Sequence, residues 1–190
     1  AWTAVGGEIL FVSHSADPSE AVQKTNDYMT AYGDTDCIYA TGEDYITPAA
    51  DVIKSRGITD CKIYGSNISP SVCQLIMDGQ VEACTGGEFV CGSLAVTLLI
   101  NYLDGNPIKD ADGTAPYFDN LTQFMVTAEN AEDFYEFLSD ENLATHTISD
   151  EEYQNLLVRN NPDVDYDYFY DFLTNYEENV YAKVEANAAQ

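Results

Sequence analysis

One stretch of sequence indicates the fold class, and it is Cys37-Ile-Tyr-Ala-Thr-Gly-Glu-Asp-Tyr45. It begins as an apolar, strand-like segment, continues through a small polar turn, and leads into a helical pattern that ends at Gly57. The same order recurs at Lys62-Ile-Tyr-Gly-Ser-Asn-Ile-Ser-Pro70 and, less clearly, between Val81 and Phe89. Short strands that alternate with helices of about ten residues are typical of a parallel sheet with helices on both faces. In such α/β sheets, ligands bind beyond the carboxyl ends of the strands. The repeat therefore predicts both an α/β fold and the sheet edge at which a ligand binds.

Turn and cap residues divide the rest of the chain. Ile9–Val12 is a short apolar run, which predicts a first strand over residues 8–13. Asp17-Pro-Ser-Glu20 supplies the cap, proline and capping-box acid that begin a helix. We expect an α/β ligand-binding lobe over 1–108, a closing strand and helix over 109–138, and an acidic, aromatic-rich helical extension over 139–190. The other predicted elements are helices over 17–32, 45–55, 70–78, 93–103 and 130–138 and strands over 37–40, 62–64, 81–85 and 121–126.

The charge balance excludes several classes of partner. The chain has 33 acidic and 7 basic residues, a formal net charge of -26. Nucleic-acid binding is excluded because it needs Lys and Arg to neutralise phosphates, and an anionic membrane surface would repel the chain. Most of this charge is expected to serve solubility, while attraction of cations or of a basic partner stays open. No leader segment opens the sequence, so we expect any signal segment to have been removed or to lie upstream.

The metal-binding residue types do not form a metal site. The five cysteines contain no CxxC pair. Cys37, Cys61 and Cys84 lie in or beside predicted strands, which favours buried free thiols, and one disulfide is still possible. Asp163, Asp165 and Asp167 alternate as in a calcium loop, but the expected glycine and distal Glu are missing. We therefore predict no metal and no cofactor.

Polar side chains after the predicted strands are the candidate ligand-binding residues. Glu43 and Asp44 could act as a general acid and base, but acids in such a turn more often cap the next helix or accept hydrogen bonds from a ligand. Hydroxyl, carboxylate, amide and aromatic groups suit a neutral or cationic polar ligand, and no Lys or Arg is expected near these turns. The predicted ligand-binding residues are His14, Asp17, Glu43, Asp44, Tyr45, Asn67, Glu88 and Phe89.

Six short segments occur in the same order and at similar spacing as the sequence patterns of a known protein family. They are Asp36-Cys-Ile-Tyr-Ala-Thr-Gly-Glu43, Arg56-Gly57, Ile63-Tyr-Gly-Ser-Asn67, Asp78-Gly79, Asp104-Gly105 and Phe124-Met-Val-Thr-Ala-Glu-Asn130. Over residues 8–138 the chain resembles the C-terminal lobe of the type I periplasmic-binding-protein superfamily, the ribose- and galactose-binding-like solute receptors of ABC transporters. The family's corresponding patterns are D-x-x-x-A-x-N-D, A-G, V-x-G-x-D, D-G, x-G and V-T-x-E-N. The resemblance rests on order and spacing.

The resemblance implies a non-enzymatic receptor that binds a sugar or a related small polar ligand in a cleft between two lobes. Such a receptor works with ABC transporter membrane subunits and is extracellular, lipid-anchored at the cell surface or periplasmic. By family position, Gly42 stands where a ligand-binding Asn is frequent, and Glu43 stands in place of Asp. Asn67 replaces an Asp that commonly binds sugar hydroxyls, and Ala16 stands where an aromatic ring often stacks. Glu88 lies near a usual polar contact.

The resemblance further implies that part of the family's fold is missing. The first lobe is absent, and only one strand–helix unit precedes Cys37, so the strand and helix that begin the second lobe are missing as well. We expect a fragment that recovers a strand from a partner chain, as a homo-oligomer or by strand exchange, or from its own N-terminal segment. Two alternatives stay open: the effector-sensing domain of a transcription regulator or membrane sensor, and a hydrolase that uses Glu43 and Asp44.

Overall fold

The computed structural model describes residue 4 and residues 6–88, 90–139 and 147–189. The described strands form one four-stranded sheet in the order β1-β2-β3-β4, flanked by helices, which confirms the predicted α/β class. β1 and β2 run parallel, with Cys37 opposite Lys62 and Ala40 opposite Gly65. The described elements are α1 (Pro18–Ala31), β1 (Cys37–Ala40), α2 (Glu43–Ser55), β2 (Lys62–Ser66), α3 (Pro70–Met77), β3 (Ala83–Gly86), α4 (Val90–Leu103), β4 (Phe124–Thr127), α5 (Ala131–Ser139), α6 (Asp150–Asn155), α7 (Tyr166–Thr174) and α8 (Tyr176–Ala188).

Local sequence signals account for where the first helices begin and end. Asp17 caps α1, and its side chain accepts the Glu20 N–H at 2.9 Å. Ser69 caps α3 in the same way. Gly57 follows α2 with a φ of 67°, a left-handed conformation that favours glycine. α2 begins at Glu43, two residues earlier than predicted, because acidic residues are favourable in the first turn of a helix.

The chain divides into two compact units, of which the first comprises Ala1–Cys84 and Val126–Glu132. In this unit α2 packs against α1, α3, β1 and β2. Ile46, Ala50 and Ile53 lie buried on α2, as the helical spacing predicts. α2 lies so close to β2 that a Cβ atom built on Gly65 would lie 2.4 Å from the Cδ1 atom of Ile46. A glycine at the end of β2 therefore permits the packing of the helix on the sheet.

The predicted strand over residues 8–13 is wrong. Residues 7–15 have no regular structure, and the side chains of Ile9–Val12 are between 37% and 74% exposed. The run has the apolar and β-branched composition of a strand, but a strand also needs a neighbour with which to exchange hydrogen bonds. No described residue supplies that ladder. The ring of Phe11 instead packs against Tyr28 of α1.

The second unit comprises Thr85–Met125 and Asp133–Gln190. Its core contains large aromatic side chains, and the rings of Phe124 and Phe134 stack at 5.1 Å. α4 is tied to the C-terminal region by Asn101, whose buried amide donates to the Leu156 carbonyl and accepts the Val158 N–H, each at 2.9 Å. The extension predicted to be helical is therefore part of the packed unit.

The aromatic helix α7 docks through only part of its aromatic surface. Phe169 is buried, as expected for an amphipathic helix packed on the body of the protein. Tyr168 and Tyr170 stay exposed, and Tyr170 stacks on Tyr166 with ring centroids 6.2 Å apart. α7 therefore packs on the second unit through one side and exposes tyrosine rings on the other.

Cys37, Cys61, Cys73 and Cys91 are free thiols. Cys61, Cys73 and Cys84 are buried as predicted, Cys37 is half-buried, and Cys91 at the start of α4 is exposed, which the sequence did not predict. Burial, with smaller contributions from Cys37 and Asp36, raises the pKa of Cys61 to about 11. Burial raises the pKa of Cys73 to about 12. These buried thiols act as small apolar core groups rather than as reactive thiolates.

Candidate functional site

Two polar turns of the first unit leave the sheet at the same edge. β1 and β2 are parallel and in register as far as the Ala40–Gly65 pair, so both strands end at the same level. Residues 41–44 follow β1, and Asn67 follows Ser66, the last residue of β2. Because neighbouring strands lie about 4.8 Å apart, side chains from both turns are within reach of one small molecule.

The turn after β1 presents two carboxylates in the first turn of α2. Glu43 is half-buried and Asp44 is exposed. Gly42 occupies the N-cap position and has no side chain, so α2 begins without a side-chain cap. Acidic residues are favourable at this position because the helix dipole and the unpaired N–H groups there attract negative charge. The two carboxylates accept no hydrogen bond from another side chain in the described ranges, so they remain available to a ligand.

Tyr45 holds the segment before α1 close to the turn after β1. Its hydroxyl donates a hydrogen bond to the backbone carbonyl of Ser15 at 3.1 Å. Its ring lies against Gly42, where a Cβ atom would be 3.6 Å from the ring. Tyr45 is half-buried, and its hydroxyl is therefore committed to the protein rather than free to bind a ligand.

The turn before α1 differs from the sequence prediction in its charge. His14 is exposed, and its backbone carbonyl accepts a hydrogen bond from the Lys24 ammonium group. Lys24 also forms a salt bridge with Glu20 at 2.8 Å, and its hydrogen bond holds the pKa of Glu20 below the ordinary value. The prediction that no Lys or Arg lies near these turns is thus wrong for the turn before α1. There the Lys24 ammonium group, on α1, contacts the backbone of His14. Asp17 is engaged as the cap of α1.

Asn67 has an uncommon backbone conformation in the turn after β2. Its φ is 75°, in the left-handed region, and no other non-glycine residue in the described ranges has a positive φ. Asn tolerates this region better than most residues, and such conformations cluster at binding sites. The side chain is exposed and makes no hydrogen bond to another described residue. Asn67 therefore presents a free amide at the sheet edge.

Glu88 lies in the second unit, after β3, and one of its carboxylate oxygens lacks a donor. Oε1 accepts a weak hydrogen bond from the Thr85 hydroxyl at 3.5 Å, while Oε2 is shielded from solvent and unpaired in the described ranges. An unsatisfied polar atom of this kind costs about 1–3 kcal/mol. A ligand hydroxyl or ammonium group would satisfy it. Phe89, the last predicted site residue, lies outside the described residues.

The glycines of this turn serve packing. Gly87 has a φ of 118°, and a Cβ atom there would lie 3.0 Å from the Tyr176 ring. Tyr176 is buried, its hydroxyl has no hydrogen-bond partner in the described ranges, and burial raises its pKa. The sequence alone could not show this contact, because Gly87 and Tyr176 lie far apart in the chain.

The described residues at the turns after β1 and β2 carry hydrogen-bonding groups. Within residues 6–88, 90–139 and 147–189, no three His, Cys, Asp or Glu side chains converge on a point where a metal ion could bind. None of the helices in these ranges has the length and apolar character required to cross a membrane. The carboxylates and the amide can accept and donate hydrogen bonds to hydroxyl groups.

Comparison with known proteins gives a family and several similar folds. A family model described as a periplasmic binding protein domain matches residues 4–107. A periplasmic sugar-binding protein from Pseudomonas fluorescens is 18% identical over 80% of this chain and 45% of its own, with a TM-score of 0.57. The binding protein of the arabinose ABC transporter from Shewanella sp. ANA-3, bound to L-arabinofuranose, is 20% identical over 67% of this chain and 42% of its own, with a TM-score of 0.54. A periplasmic ribose ABC transporter structure from Conexibacter woesei DSM 14684 is 18% identical over 71% of this chain and 45% of its own, with a TM-score of 0.54.

A search of curated proteins found no match. The chain spans between 42% and 45% of the length of the three structures, and at these identities the similarity shows the fold alone. The family model, in contrast, covers more than half of the 190 residues. Proteins of this family bind solutes and are not enzymes, so the hydrolase interpretation of Glu43 and Asp44 is set aside. The chain belongs to the periplasmic binding protein domain family.

Proposed function

We propose that the chain binds a small polar ligand, a sugar or a related molecule, at the turns that follow β1 and β2. The observation that carries this proposal is the free amide of Asn67, held in a left-handed conformation at the same sheet edge as Glu43 and Asp44. Carboxylates accept hydrogen bonds from hydroxyl groups, and an amide both donates and accepts, so the three side chains suit adjacent hydroxyl groups on one ring.

Charge restricts the class of ligand. Neither of these two turns contains a basic residue, and Glu43 and Asp44 are both acidic. An anionic ligand would be repelled by the two carboxylates, whereas a neutral or cationic ligand would not. We therefore favour a neutral sugar over a sugar acid or phosphate.

We infer a transport role from the similar proteins. The similar structures are named as periplasmic components of arabinose and ribose ABC transporters. By extension, the chain would contribute one lobe of a solute receptor that delivers its ligand to ABC transporter membrane subunits, in the periplasm or at the outer cell surface, where a lipid anchor would hold it. The shorter span of this chain relative to those structures is consistent with one lobe of two.

We also propose that the free edge of β1 accepts another strand. β1 ends the sheet, and the apolar side chains of Ile9–Val12 stay exposed although their composition suits a strand. An edge strand presents unpaired backbone N–H and C=O groups, which can pair with another strand. A strand from a partner copy or from the chain's own N-terminal segment would complete the ladder. A monodisperse, fully folded monomer by size-exclusion chromatography with light scattering would contradict partner exchange.

A thermal-shift screen tests the ligand proposal. At a ligand concentration 20 times the Kd, binding adds about 1.8 kcal/mol to the free energy of unfolding, which raises the Tm by roughly 5 °C. We expect neutral pentoses and hexoses to raise the Tm and uronic acids to leave it unchanged. Asn67→Ala and Glu43→Gln should remove the shift, whereas Asp51→Asn, an exposed change farther along α2, should retain it. A shift that survives both turn variants would contradict this site.

A further inference from the structure

α4 carries an apolar outer face that no described residue covers. Its inner side is buried through residues such as Val90 and Leu94. A surface helix normally has polar residues on its other side. Here the outward residues are large and apolar, with between 53% and 72% of each side chain exposed, and they are Val96, Leu99, Tyr102 and Leu103. Their spacing of three and four residues makes them one stripe along the helix.

This stripe borders a groove. α4 and the segment 107–116 enclose an open cavity of about 390 Å³. Its walls are mainly apolar and include Leu98, Leu99, Tyr102, Pro107, Ile108 and Pro116. The stripe continues beyond the cavity, because Val96 and Leu103 are exposed on α4 but do not line it. An occupant that covered both would be elongated, which favours a polypeptide segment over a small molecule.

The wall opposite α4 is a defined turn. Gly113 has a φ of 83°, and its N–H donates to the Asp110 carbonyl at 2.9 Å. The Asp112 carboxylate accepts hydrogen bonds from the N–H and hydroxyl of Thr114, at 2.9 Å and 2.6 Å. The hydrogen bonds from Thr114 hold the pKa of Asp112 below its ordinary value. The groove is therefore preformed and keeps a negative charge at its rim.

Acidic residues adjoin the groove and the stripe, and they form its rim. Asp104 directly follows Leu103 of the stripe, and Asp110 and Asp112 lie in the segment 107–116, although none of the three lines the cavity itself. Arg159 offsets Asp104 through a salt bridge of 3.4 Å, and Lys109 is the basic residue of the lining. The chain as a whole has a net charge of -26. An apolar groove with an acidic rim on an acidic protein is complementary to an apolar segment flanked by Lys or Arg.

We propose that α4 and the segment 107–116 form a docking groove for a basic amphipathic helix of a partner protein. Apolar residues of that helix, repeated every three or four positions, enter the groove and cover the stripe, while its Lys and Arg side chains meet the acidic rim. A second copy of this chain fits less well, because symmetrical pairing would bring two acidic rims together and like charges repel. None of the residues that line the groove belongs to the turns after β1 and β2.

A designed peptide tests the proposal. The probe is a fluorescein-labelled helix of roughly 20 residues, with Leu on one face and Lys on the other. Binding is measured by fluorescence anisotropy with the full chain, and contacted residues are identified by amide shifts in NMR spectra. We expect binding below roughly 100 µM, with shifts on α4 and on residues 107–116. A peptide with Glu in place of Lys, and one with Ser in place of Leu, should both fail to bind.

Matched variants separate groove binding from general attraction to an acidic protein. Leu99→Ser with Leu103→Ser should raise the Kd about tenfold, because apolar anchors dominate such interfaces. Val22→Ser, an exposed change on α1, should leave the Kd unchanged. Asp104→Asn with Asp110→Asn should raise the Kd roughly threefold. Asp27→Asn with Asp51→Asn changes the net charge equally and should have less effect.

Several outcomes would overturn the proposal. Equal affinity in all variants would show electrostatic attraction without a groove, and absence of binding would exclude this class of partner. Tight binding of the Glu peptide would contradict the role of the rim. Concentration-dependent dimerisation that Leu99→Ser abolishes, without peptide binding, would assign the face to a second copy. Circular dichroism and Tm measurements on each variant distinguish lost binding from lost folding.

Discussion

Replacement of Gly65 by Ala tests the packing that places the turn after β2. Gly65 is buried at the carboxyl end of β2, directly before Ser66 and Asn67. A Cβ atom there would lie 2.4 Å from Cδ1 and 2.8 Å from Cγ1 of Ile46, and 3.2 Å from the carbonyl oxygen of Ala40. Ordinary contacts between carbon atoms are about 3.5–4.0 Å. The added methyl group therefore has to push α2 away from the strand.

The cost follows from two opposing terms. Overpacking a well-packed core costs about 1–3 kcal/mol. Replacement of glycine by alanine also lowers the conformational entropy of the unfolded chain, which stabilises the folded variant by about 0.4–1 kcal/mol. We expect a net decrease of about 1–2 kcal/mol in the free energy of unfolding of Gly65→Ala, with a fall in Tm of roughly 3–6 °C for a chain of this size.

Urea unfolding at 25 °C, followed by far-ultraviolet circular dichroism, measures this decrease. The control is Gly92→Ala in α4, where an added Cβ atom meets nothing within 4 Å. There the change should stabilise by about 0.5–1 kcal/mol, because Ala favours the helix. Ile46→Val removes the Cδ1 atom, so the double variant should be more stable than the sum of the single changes predicts, by roughly 0.5–1.5 kcal/mol. A free energy of unfolding of Gly65→Ala equal to or above that of the parent chain would contradict the close packing of α2 on β2 at Gly65.

Three further predictions concern the second unit and the thiols. Asn101→Ala should lower the free energy of unfolding by about 2–4 kcal/mol in urea titrations, because two buried backbone groups lose their partners, whereas the exposed Asn106→Ala should change it by less than about 0.5 kcal/mol. Burial acts to raise the pKa of Glu152, but hydrogen bonds from Lys183 and Ser149 outweigh it and hold the pKa below 4.5. A lowered folded-state pKa gives stability that is present above pH 4.5 and lost as the pH falls through the folded-state pKa, so the stability advantage of the parent over Glu152→Gln should shrink below pH 4.5 in unfolding titrations. Cys91 should react with Ellman's reagent in the native protein and Cys73 only after unfolding; rapid native labelling of Cys73, identified by mass spectrometry, would contradict its burial.

Elements with local start and stop signals were predictable from the sequence. Asp17 and Pro18 begin α1, and Gly57 ends α2, each as the sequence indicates. The capping box of α6, in which Ser149 and Glu152 bond each other's backbone, is also written locally as S-x-x-E, but the sequence reasoning described this region only as helical. That signal was available and was missed.

Features that depend on distant residues were not predictable in this way. Ile9–Val12 has a strand-like composition, but whether it forms a strand depends on a neighbour that no described residue supplies. The contact of Gly87 with Tyr176 could not be predicted, because the two residues are almost ninety positions apart. The salt bridge between Glu152 and Lys183 likewise joins separate helices.

The candidate site was predictable in its position rather than in its chemistry. Parallel register between β1 and β2 follows from the strand–turn–helix repeat, and it brings the turns of Glu43 and Asn67 to one edge. The sequence did not show that the Tyr45 hydroxyl bonds Ser15, or that Lys24 reaches His14, because both contacts depend on how α1 and α2 pack. The left-handed conformation of Asn67 is compatible with its residue type but is not specified by it.

Sugar binding at the turns after β1 and β2 is tested most directly by titration of the ¹⁵N-labelled chain with neutral pentoses and hexoses. The titration is followed by the amide chemical shifts. Shift mapping detects weak binding and identifies the residues involved. We predict saturable shifts confined to the turns at residues 41–45 and 66–68, and loss of these shifts in Asn67→Ala. No saturable shift with any sugar at roughly 50 mM, or shifts centred away from these turns, would contradict it.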